Sequence, residues 1–298
     1  MSDFRLKVFR SVAKNLSFTK ASQELFVSQP AITKHIQELE AAYQTRLFDR
    51  QGSRISLTES GNLLLEHCER ILEDYKRLEY EMHLLHNEYT GGLKLGASTT
   101  IAQYVLPPLL ASFIGKFPQV SLSLLNGNSR EIEAALQEHR IDLGFVEGVF
   151  RLPNIRYTTF LEDELVAVVR TGSKLAVGEE ITPDELFHLP LVLRERGSGT
   201  LDVFERALQQ HNIKLSSLQV LMYLGSTESI KLFLEHTDCL GIVSVRSITR
   251  ELYSGQLRVV EIKGMSMLRD FSFAQPQGQE SGLAQVFMQF AMHNNHKL

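Results

Sequence analysis

Small polar residues occur at four junctions, where a short apolar segment that could form a strand is followed by a helical pattern. They are Ser98, Thr99 and Thr100; Asn128 and Ser129; Gly197, Ser198, Gly199 and Thr200, preceded by Arg194; and Ser226 and Thr227. In a doubly wound sheet, ligands bind beyond the carboxyl ends of the strands, where helix N-termini offer free N–H groups and a positive dipole. Together these residues predict a cleft for a small anion such as a carboxylate or a phosphate. Simple helix capping is the alternative, and it stays open for each junction taken singly.

A second polar set lies within residues 28–37, on a segment with helical periodicity. The apolar positions, predicted to form one buried stripe, are Ile32, Ile36, Leu39 and Tyr43. The polar positions on the other faces are Gln29, Thr33, Lys34 and Gln37. Amide and hydroxyl side chains near a helix N-terminus suit base edges in the major groove, whereas Lys34 suits a phosphate or a guanine edge. A solvated helix face is the alternative interpretation.

Short helices must position that polar set. The pattern predicts a first helix over Phe4–Asn15 and a second over Thr19–Leu25, capped by Ser17 or Thr19. A tight turn at Phe26-Val27 follows, and Ser28 caps the next helix. Pro30 is tolerated there because first-turn N–H groups have no partner within the helix. This arrangement is typical of a helix-turn-helix.

A small hairpin is predicted within residues 45–58. Gln51-Gly52-Ser53 has turn chemistry, and Arg50 and Arg54 flank it, so both arginines are expected to reach the sugar-phosphate backbone or the minor groove. Two solvated arginines on a hairpin are the alternative. The full set of predicted DNA-binding residues is Ser17, Thr19, Ser28, Gln29, Pro30, Thr33, Lys34, Gln37, Arg50 and Arg54.

Charge is divided unevenly along the chain. Residues 1–58 contain nine Lys or Arg and five Asp or Glu, which gives +4, whereas the whole chain has a net charge of −4. The remaining residues therefore carry −8. A local basic patch attracts a phosphate backbone whatever the average charge, although such asymmetry also arises by chance.

The N-terminal part of the sequence resembles the LysR-type transcriptional regulators. The resemblance rests on SFTKAS (17–22), VSQPAITKHIQELE (27–40), RLFDR (46–50) and LTESG (57–61), in that order. It is specific over about the first 65 residues and agrees in length and element order over the rest. Gln44 departs from the family, which usually has a glycine at the end of the recognition helix.

The resemblance implies an α/β multidomain protein with a winged helix-turn-helix, a long linker helix and two Rossmann-like α/β subdomains. Those subdomains resemble periplasmic binding proteins, with the effector between them. The expected divisions are a DNA-binding domain at 1–58, a linker and dimerisation helix at 59–90 and an effector domain at 91–298. Within the last, subdomain I is expected at about 91–163 and 266–298, and subdomain II at about 164–265.

The linker helix carries a seven-residue apolar repeat that predicts a partner helix. Its members are Leu64, Cys68, Ile71, Tyr75, Leu78, Met82, Leu85 and Tyr89. The helix is expected to be capped by Thr58, to run over 59–89 and to end at Gly91-Gly92. No second long helix is predicted, so the expected partner is another copy, although packing on the chain's own domains is the alternative. The family resemblance implies a dimer that commonly becomes a dimer of dimers.

Beyond the linker, short apolar segments alternate with helical ones. The predicted strands are 93–98, 121–126, 142–146, 189–193, 219–223 and 240–244, and the predicted helices are 101–116, 129–138, 200–211 and 226–236. This alternation favours parallel, doubly wound sheets. An effector that prefers one closure of the cleft would shift the oligomer's geometry and the spacing of its DNA-binding heads.

Other classes of protein fit the sequence less well. No P-loop, HExxH, GxGxxG or nucleophile elbow occurs, so we expect no catalytic residue, cofactor or metal. A secreted solute-binding protein would need a signal, and the N-terminus is charged within its apolar pattern. A nucleoid protein would need no cleft. Without a long apolar run or a cysteine pattern, we expect a cytoplasmic protein with no membrane role, bound to double-stranded DNA at pseudo-palindromic promoter sites and to a small effector, with RNA polymerase as a further candidate partner.

Overall fold

A computed structural model describes residues 4–51, 54–86, 89–175, 178–277 and 282–294. The chain forms two compact units, Met1–Glu88 and Tyr89–Leu298. Unit 1 contains α1 (Phe4–Asn15), α2 (Phe18–Leu25), α3 (Gln29–Tyr43), β1 (Phe48–Gln51), β2 (Arg54–Leu57) and α4 (Glu59–His86). The first and third helices begin where the caps and periodicity predict, and Phe26 makes the expected tight turn with a φ of 54°.

Helices α1 to α4 and the hairpin share one apolar core in unit 1. Its buried members include Phe9, Val12, Ala21, Ile32, Ile36, Leu39 and Phe48. The rings of Phe9 and Phe48 are 5.5 Å apart between centroids and join α1 to the hairpin. Tyr43 does not belong to the buried stripe, since 56% of it is exposed at the C-terminal end of α3, where the helix leaves the core. That part of the prediction is wrong.

Helix α4 starts on the predicted cap. The Thr58 hydroxyl accepts a hydrogen bond from the Gly61 amide at 2.9 Å and donates one to the Arg46 carbonyl at 2.7 Å. Gly61 is required here, because a Cβ would lie 2.1 Å from the Leu47 carbonyl oxygen. Further along, Cys68 is buried in the core of unit 1, so this member of the repeat packs within its own chain.

The predicted end of the linker helix is wrong. The described helix ends at His86, and Gly91 and Gly92 are the first two residues of a strand. They pair with Val120 and Ser121 on the neighbouring strand, and this pairing draws them out of any helical turn. Residues 87 and 88 lie outside the described residues, and Tyr89 is not helical.

Unit 2 is built on one mixed sheet. Its strands are β3 (Gly91–Ser98), β4 (Val120–Gly127), β5 (Leu143–Val146), β6 (Ile155–Arg170), β7 (Glu180–Ile181), β8 (Pro190–Arg194), β9 (Gln219–Leu224), β10 (Leu240–Ser244), β11 (Leu257–Ile262) and β12 (Leu268–Pro276). Its helices are α5 (Thr99–Tyr104), α6 (Leu106–Lys116), α7 (Ser129–Gln137), α8 (Gly199–Gln210), α9 (Thr227–His236), α10 (Thr249–Tyr253) and α11 (Gly282–Asn294). The main strand order is β4-β3-β5-β12-β6-β10-β8-β9.

Strand β6 divides unit 2 into two lobes. Its residues 155–164 pair with β12, and its residues 165–170 pair with β10 and β11. We call residues 91–164 and 268–294 the first lobe, and residues 165–267 the second lobe. Within each lobe the strands followed by helices are parallel, as predicted, whereas β6 and β12 run antiparallel to their neighbours. Both lobes have the expected α/β character.

Each lobe has its own apolar core. In the first lobe, Phe113, Phe145, Phe273 and Phe287 stack, with ring centroids 4.8–5.9 Å apart in the contacting pairs. The second lobe buries apolar side chains of β8, β10 and α8, such as Leu191, Ile242 and Phe204. Among the described residues, no helix is both long and apolar enough to span a membrane.

Candidate functional site

The predicted DNA-reading face is exposed on α3. Ser28 caps this helix, accepting a hydrogen bond from the Ala31 amide at 3.4 Å, and Pro30 lies in its first turn. Gln29, Pro30, Lys34 and Gln37 are exposed, while Thr33 is half-buried and donates to the Gln29 carbonyl at 3.1 Å. These side chains are opposite the stripe that enters the core, so the face stays open to a ligand.

The other predicted DNA-binding residues have more varied positions. Ser17 caps α2 by accepting from the Lys20 amide at 3.2 Å, and Thr19 is exposed within that helix and does not cap it. Arg50 pairs with Ile55 across the hairpin, and Arg54 pairs with Gln51. The side chains of both arginines lie outside the described residues, so their contacts stay a prediction.

Arg194 brings three of the four predicted junctions together in unit 2. Its guanidinium is 1% exposed and donates to the Thr99 hydroxyl at 3.3 Å and to the Thr227 hydroxyl at 3.5 Å. Thr99 belongs to the first lobe, while Arg194 and Thr227 belong to the second. The carboxylate of Glu195 accepts from the same guanidinium at 2.8 and 3.1 Å.

The remaining junction, the second along the chain, meets the first and the third around Glu147, which follows β5 directly. One carboxylate oxygen of Glu147 accepts from the hydroxyls of Thr100 and Thr200, each at 3.4 Å, and lies 3.2 Å from an Arg269 nitrogen. The Ser129 hydroxyl donates to the Glu147 carbonyl at 2.8 Å. A buried polar network therefore joins the start of α5 and α7 in the first lobe to the start of α8 in the second.

Two of the predicted glycines allow the lobes to approach closely. A Cβ on Gly199 would lie 2.3 Å from the Glu147 carbonyl oxygen. Gly197 has a φ of +93°, and its carbonyl accepts from the Arg130 amide at 3.3 Å. Any side chain at Gly199 would push Glu147 and α8 apart.

Several predicted residues act as helix caps. Asn128 and Glu131 form a reciprocal capping box on α7, Ser198 caps α8, and Ser226 caps α9. Ser98 precedes α5 but makes no capping hydrogen bond, and its buried hydroxyl oxygen has no hydrogen-bond partner in the described part of the chain. The capping alternative thus describes some junction residues, while Arg194, Thr99, Thr100, Thr200 and Thr227 make contacts across the junctions.

A cavity of about 270 Å³ opens where these junctions converge. It is lined by Thr99, Gln103, Asn126, Gly127, Asn128, Glu131, Glu195, Gly225 and Ser226. Most of these side chains are polar, so the cavity suits a small polar molecule better than an apolar one.

A tyrosine links the lobes at the edge of the junctions. The Tyr104 hydroxyl on α5 donates to the Glu228 carboxylate on α9. Burial raises the pKa of Tyr104 well above its usual range, and the hydrogen bond to Glu228 raises it further. The phenol therefore stays protonated and remains a donor at any physiological pH.

Four charged residues of this region were missed from the sequence: Glu147, Asp163, Glu195 and Arg269. Arg269 on β12 stands directly opposite Asp163 on β6, and their side chains pair at 2.7 Å. Glu147 follows the predicted strand 142–146 directly, and Glu195 is the second residue after the predicted strand 189–193, so their positions are a signal that could have found them. Asp163 and Arg269 lie inside strands, and only the register shows that they pair.

Among the described residues, no cluster of three or more His, Cys, Asp or Glu could hold a metal ion.

A capped helix with an exposed polar face, within 58 residues that carry a charge of +4, and a two-lobed α/β unit with a polar cavity define a class: DNA-binding transcription regulators with an effector domain. Residues 4–62 match the bacterial regulatory helix-turn-helix proteins of the lysR family, and residues 86–295 match the LysR substrate binding domain. The chain belongs to the LysR family of transcriptional regulators.

The chain is similar to a named relative and to solved structures. The chain is 35% identical over 265 residues to the HTH-type transcriptional regulator YeiE of Escherichia coli strain K12, covering 89% of this chain and 88% of YeiE. CrgA, a LysR-type regulator from Neisseria meningitidis, matches with a TM-score of 0.72 and 19% identity over 99% of both chains. The regulatory domain of Synechocystis PCC6803 CcmR, solved in complex with 2-PG, matches with a TM-score of 0.62 and 27% identity, covering 68% of this chain and 97% of that domain.

Proposed function

We propose that this LysR-family chain binds promoter DNA sequence-specifically and that a small anionic effector, bound between the two lobes, modulates that binding. The DNA-binding part rests on the exposed face of α3, where Gln29, Thr33 and Gln37 follow a capped N-terminus. In this proposal amides read base edges, and Lys34, Arg50 and Arg54 bind phosphates. Ser17, Thr19, Ser28 and Pro30 place the backbone against the duplex.

Selection of bound duplexes from a random library, followed by fluorescence anisotropy, tests this reading. We expect Gln29→Ala or Gln37→Ala to weaken binding to the selected site and to relax its sequence preference, because each removes contacts to base edges. Lys34→Ala should weaken binding to all duplexes alike and lower the salt dependence. Gln210→Ala, on the exposed end of α8, is the matched control. Equal loss of affinity for every sequence in all variants would contradict specific reading by α3.

The effector part of the proposal is supported by one polar cavity, which Thr99, Asn128 and Ser226 of three predicted junctions line together with Glu195, the neighbour of Arg194. Ser98, Thr99, Thr100, Asn128, Ser129, Arg194, Gly197, Ser198, Gly199, Thr200, Ser226 and Thr227 are the proposed effector-binding set. The CcmR domain holds 2-PG, so 2-PG is a first anion to test. Binding of an anion should change DNA affinity or the length of the protected DNA, because the ligand favours one closure of the lobes. A bound anion that changes neither would contradict modulation.

We propose self-association through α4 as a dimer that pairs into a dimer of dimers on a pseudo-palindromic site. Leu63, Ile71, Leu78 and Met82 are exposed on this helix, a pattern that suits a helical partner. Leu78→Glu combined with Met82→Glu should lower the mass measured by sedimentation equilibrium, whereas Asp74→Asn on the same helix should not. An unchanged mass in the double variant would contradict this interface.

The remaining assignments complete the proposal. We place the DNA-binding domain at 1–58, the linker segment at 59–90 and the effector domain at 91–298, with its subdomains divided near residues 163 and 266. The described helix of the linker is Glu59–His86. We propose a non-catalytic protein of the cytoplasm with RNA polymerase as a further partner at the promoter.

A further inference from the structure

We propose that Glu195 is an internal competitor for the effector: its carboxylate occupies the Arg194 guanidinium until the carboxylate or phosphate group of an effector replaces it. This inference rests on the proposed effector site and specifies how that site is regulated. Removal of the Glu195 carboxylate should therefore strengthen anion binding more than removal of another carboxylate that lines the cavity.

The buried guanidinium of Arg194 requires an anionic partner, and the Glu195 carboxylate is that partner. This guanidinium is 1% exposed, and burying an unpaired cation is costly. The Thr99 and Thr227 hydroxyls and the Gly225 carbonyl, which accepts at 3.4 Å, are neutral. Among the ion pairs of the described residues, Glu195 supplies the one carboxylate on Arg194, with oxygens 2.8 and 3.1 Å from Nε and Nη2.

Of the two residues in this ion pair, Glu195 is the one whose side chain can move away from the other. Its side chain is 25% exposed and lines the cavity, whereas Arg194 lies behind the cavity wall. In the described hydrogen-bond network, the Glu195 carboxylate has no other partner than Arg194. A rotation of the Glu195 side chain into solvent would therefore break only this pair and open the guanidinium to the cavity.

The geometry selects the class of ligand. Two carboxylate oxygens meet Nε and Nη2 side by side, which is the fork arrangement that carboxylates and phosphates share. A replacing anion would lie beside Thr99 of the first lobe while bound to Arg194 of the second lobe. Displacement of Glu195 would thus couple binding to the contact between the lobes.

The test compares three substitutions in the full chain, with inorganic phosphate, acetate and 2-PG as probes. Glu195→Gln removes the competing charge, and Glu195→Asp keeps the charge but shortens the side chain. Glu131→Gln is the matched control, because Glu131 lines the same cavity and its carboxylate accepts from the Asn128 amide at 2.8 Å. Isothermal titration calorimetry gives affinities, and thermal unfolding gives the stabilisation by each anion.

We expect Glu195→Gln to bind at least one probe about 10-fold or more tightly than the native chain, which corresponds to about 1.4 kcal/mol. Its Tm without added anion should fall, because Arg194 is then unpaired, and the anion should restore it. Glu195→Asp should gain affinity by a smaller factor although its charge is unchanged. Glu131→Gln should gain no more than about 2- to 3-fold from the lost charge alone.

Equal gains in Glu195→Gln and Glu131→Gln would show a general effect of charge and overturn the competitor. Unchanged affinities in both Glu195 variants would overturn it as well, while leaving the effector site intact. Failure of all four proteins to bind any of the three anions would overturn the anionic effector site itself and the competitor with it. Should Glu195→Gln not fold in low salt, the Glu195→Asp comparison decides by itself.

Discussion

At the scale of single residues, Gln44 adopts a backbone conformation that favours glycine. It ends α3 in the left-handed region, with a φ of 52°, and its amide donates to the carbonyls of Ala41 and Glu40. A residue with a Cβ adopts this conformation at a cost that glycine avoids. The family's usual glycine therefore fits the observed backbone better than the glutamine does.

Gln44→Gly should raise the free energy of unfolding of unit 1 by about 1 kcal/mol, because it removes the strain of the left-handed conformation. Chemical denaturation followed by circular dichroism measures the change. Ala41→Gly, inside the same helix, is the control and should lower it by about 1 kcal/mol. A loss of stability in Gln44→Gly would mean that the glutamine side chain makes a contact worth more than the strain.

The two cysteines should not react as redox sensors. Cys68 and Cys239 are buried, and burial raises the pKa of each thiol to about 11. Since the thiolate is the reactive form, we expect slow labelling of the native chain by a thiol reagent at pH 7.5 and rapid labelling of both thiols after unfolding. A fast-reacting thiol in the native protein would contradict this burial.

At the scale of elements, the start of α4 depends on one hydroxyl that both accepts and donates. Thr58 accepts from Gly61 and donates to Arg46, and in this way joins the linker helix to the segment before the hairpin. Because the helix also passes within contact of Leu47, its first turn is held from two sides.

Thr58→Ala should lower the free energy of unfolding by about 1 kcal/mol through the lost cap, and somewhat more through the Arg46 carbonyl. Thr58→Ser keeps the hydroxyl and should lose much less. Urea denaturation of both variants at equal protein concentration provides the comparison. Equal losses would assign the effect to the methyl group of threonine.

At the scale of the whole molecule, unit 2 depends on an ionic network at the strands that the lobes share. Arg269 of β12 pairs with Asp163 of β6 at 2.7 Å and reaches Glu147 at 3.2 Å, and all three side chains are buried. The Ser244 hydroxyl of β10, in the second lobe, donates to Asp163 at 2.7 Å. The network therefore fixes the strands about which any closure of the lobes must occur.

Arg269→Gln should lower the stability of unit 2 by about 3 kcal/mol or more, because the buried Glu147 loses the cation 3.2 Å away and Asp163 loses the nearer of its two cations. Arg246→Gln is the control: Arg246 lies 3.6 Å from Asp163 but is 28% exposed, so its loss should cost about 1 kcal/mol or less. Thermal unfolding at pH 7 measures both. Similar losses in the two variants would mean that solvent reaches the network.

The helix-turn-helix of unit 1 could be predicted from the sequence, because the residues that determine its helices are close together in the chain. Ser28, Pro30 and the stripe of Ile32, Ile36 and Leu39 act within one or two turns of helix, so α3 and its polar face follow from spacing alone. The Thr58 cap and the alternation of strands and helices in unit 2 are equally local. The family resemblance then added the two-lobed arrangement that the junction residues suggested.

The tertiary structure decided what depends on residues far apart in the chain. Arg269 and Asp163 are more than 100 positions apart, and only the register of β12 on β6 places them opposite each other. Gly91 and Gly92 are strand residues because β4 pairs with them. Tyr43 is exposed because the C-terminal end of α3 extends beyond the core that covers its other apolar positions. Periodicity shows which face of an element is apolar, whereas the neighbour that meets each residue is set by packing and strand pairing, which spacing along the chain does not contain.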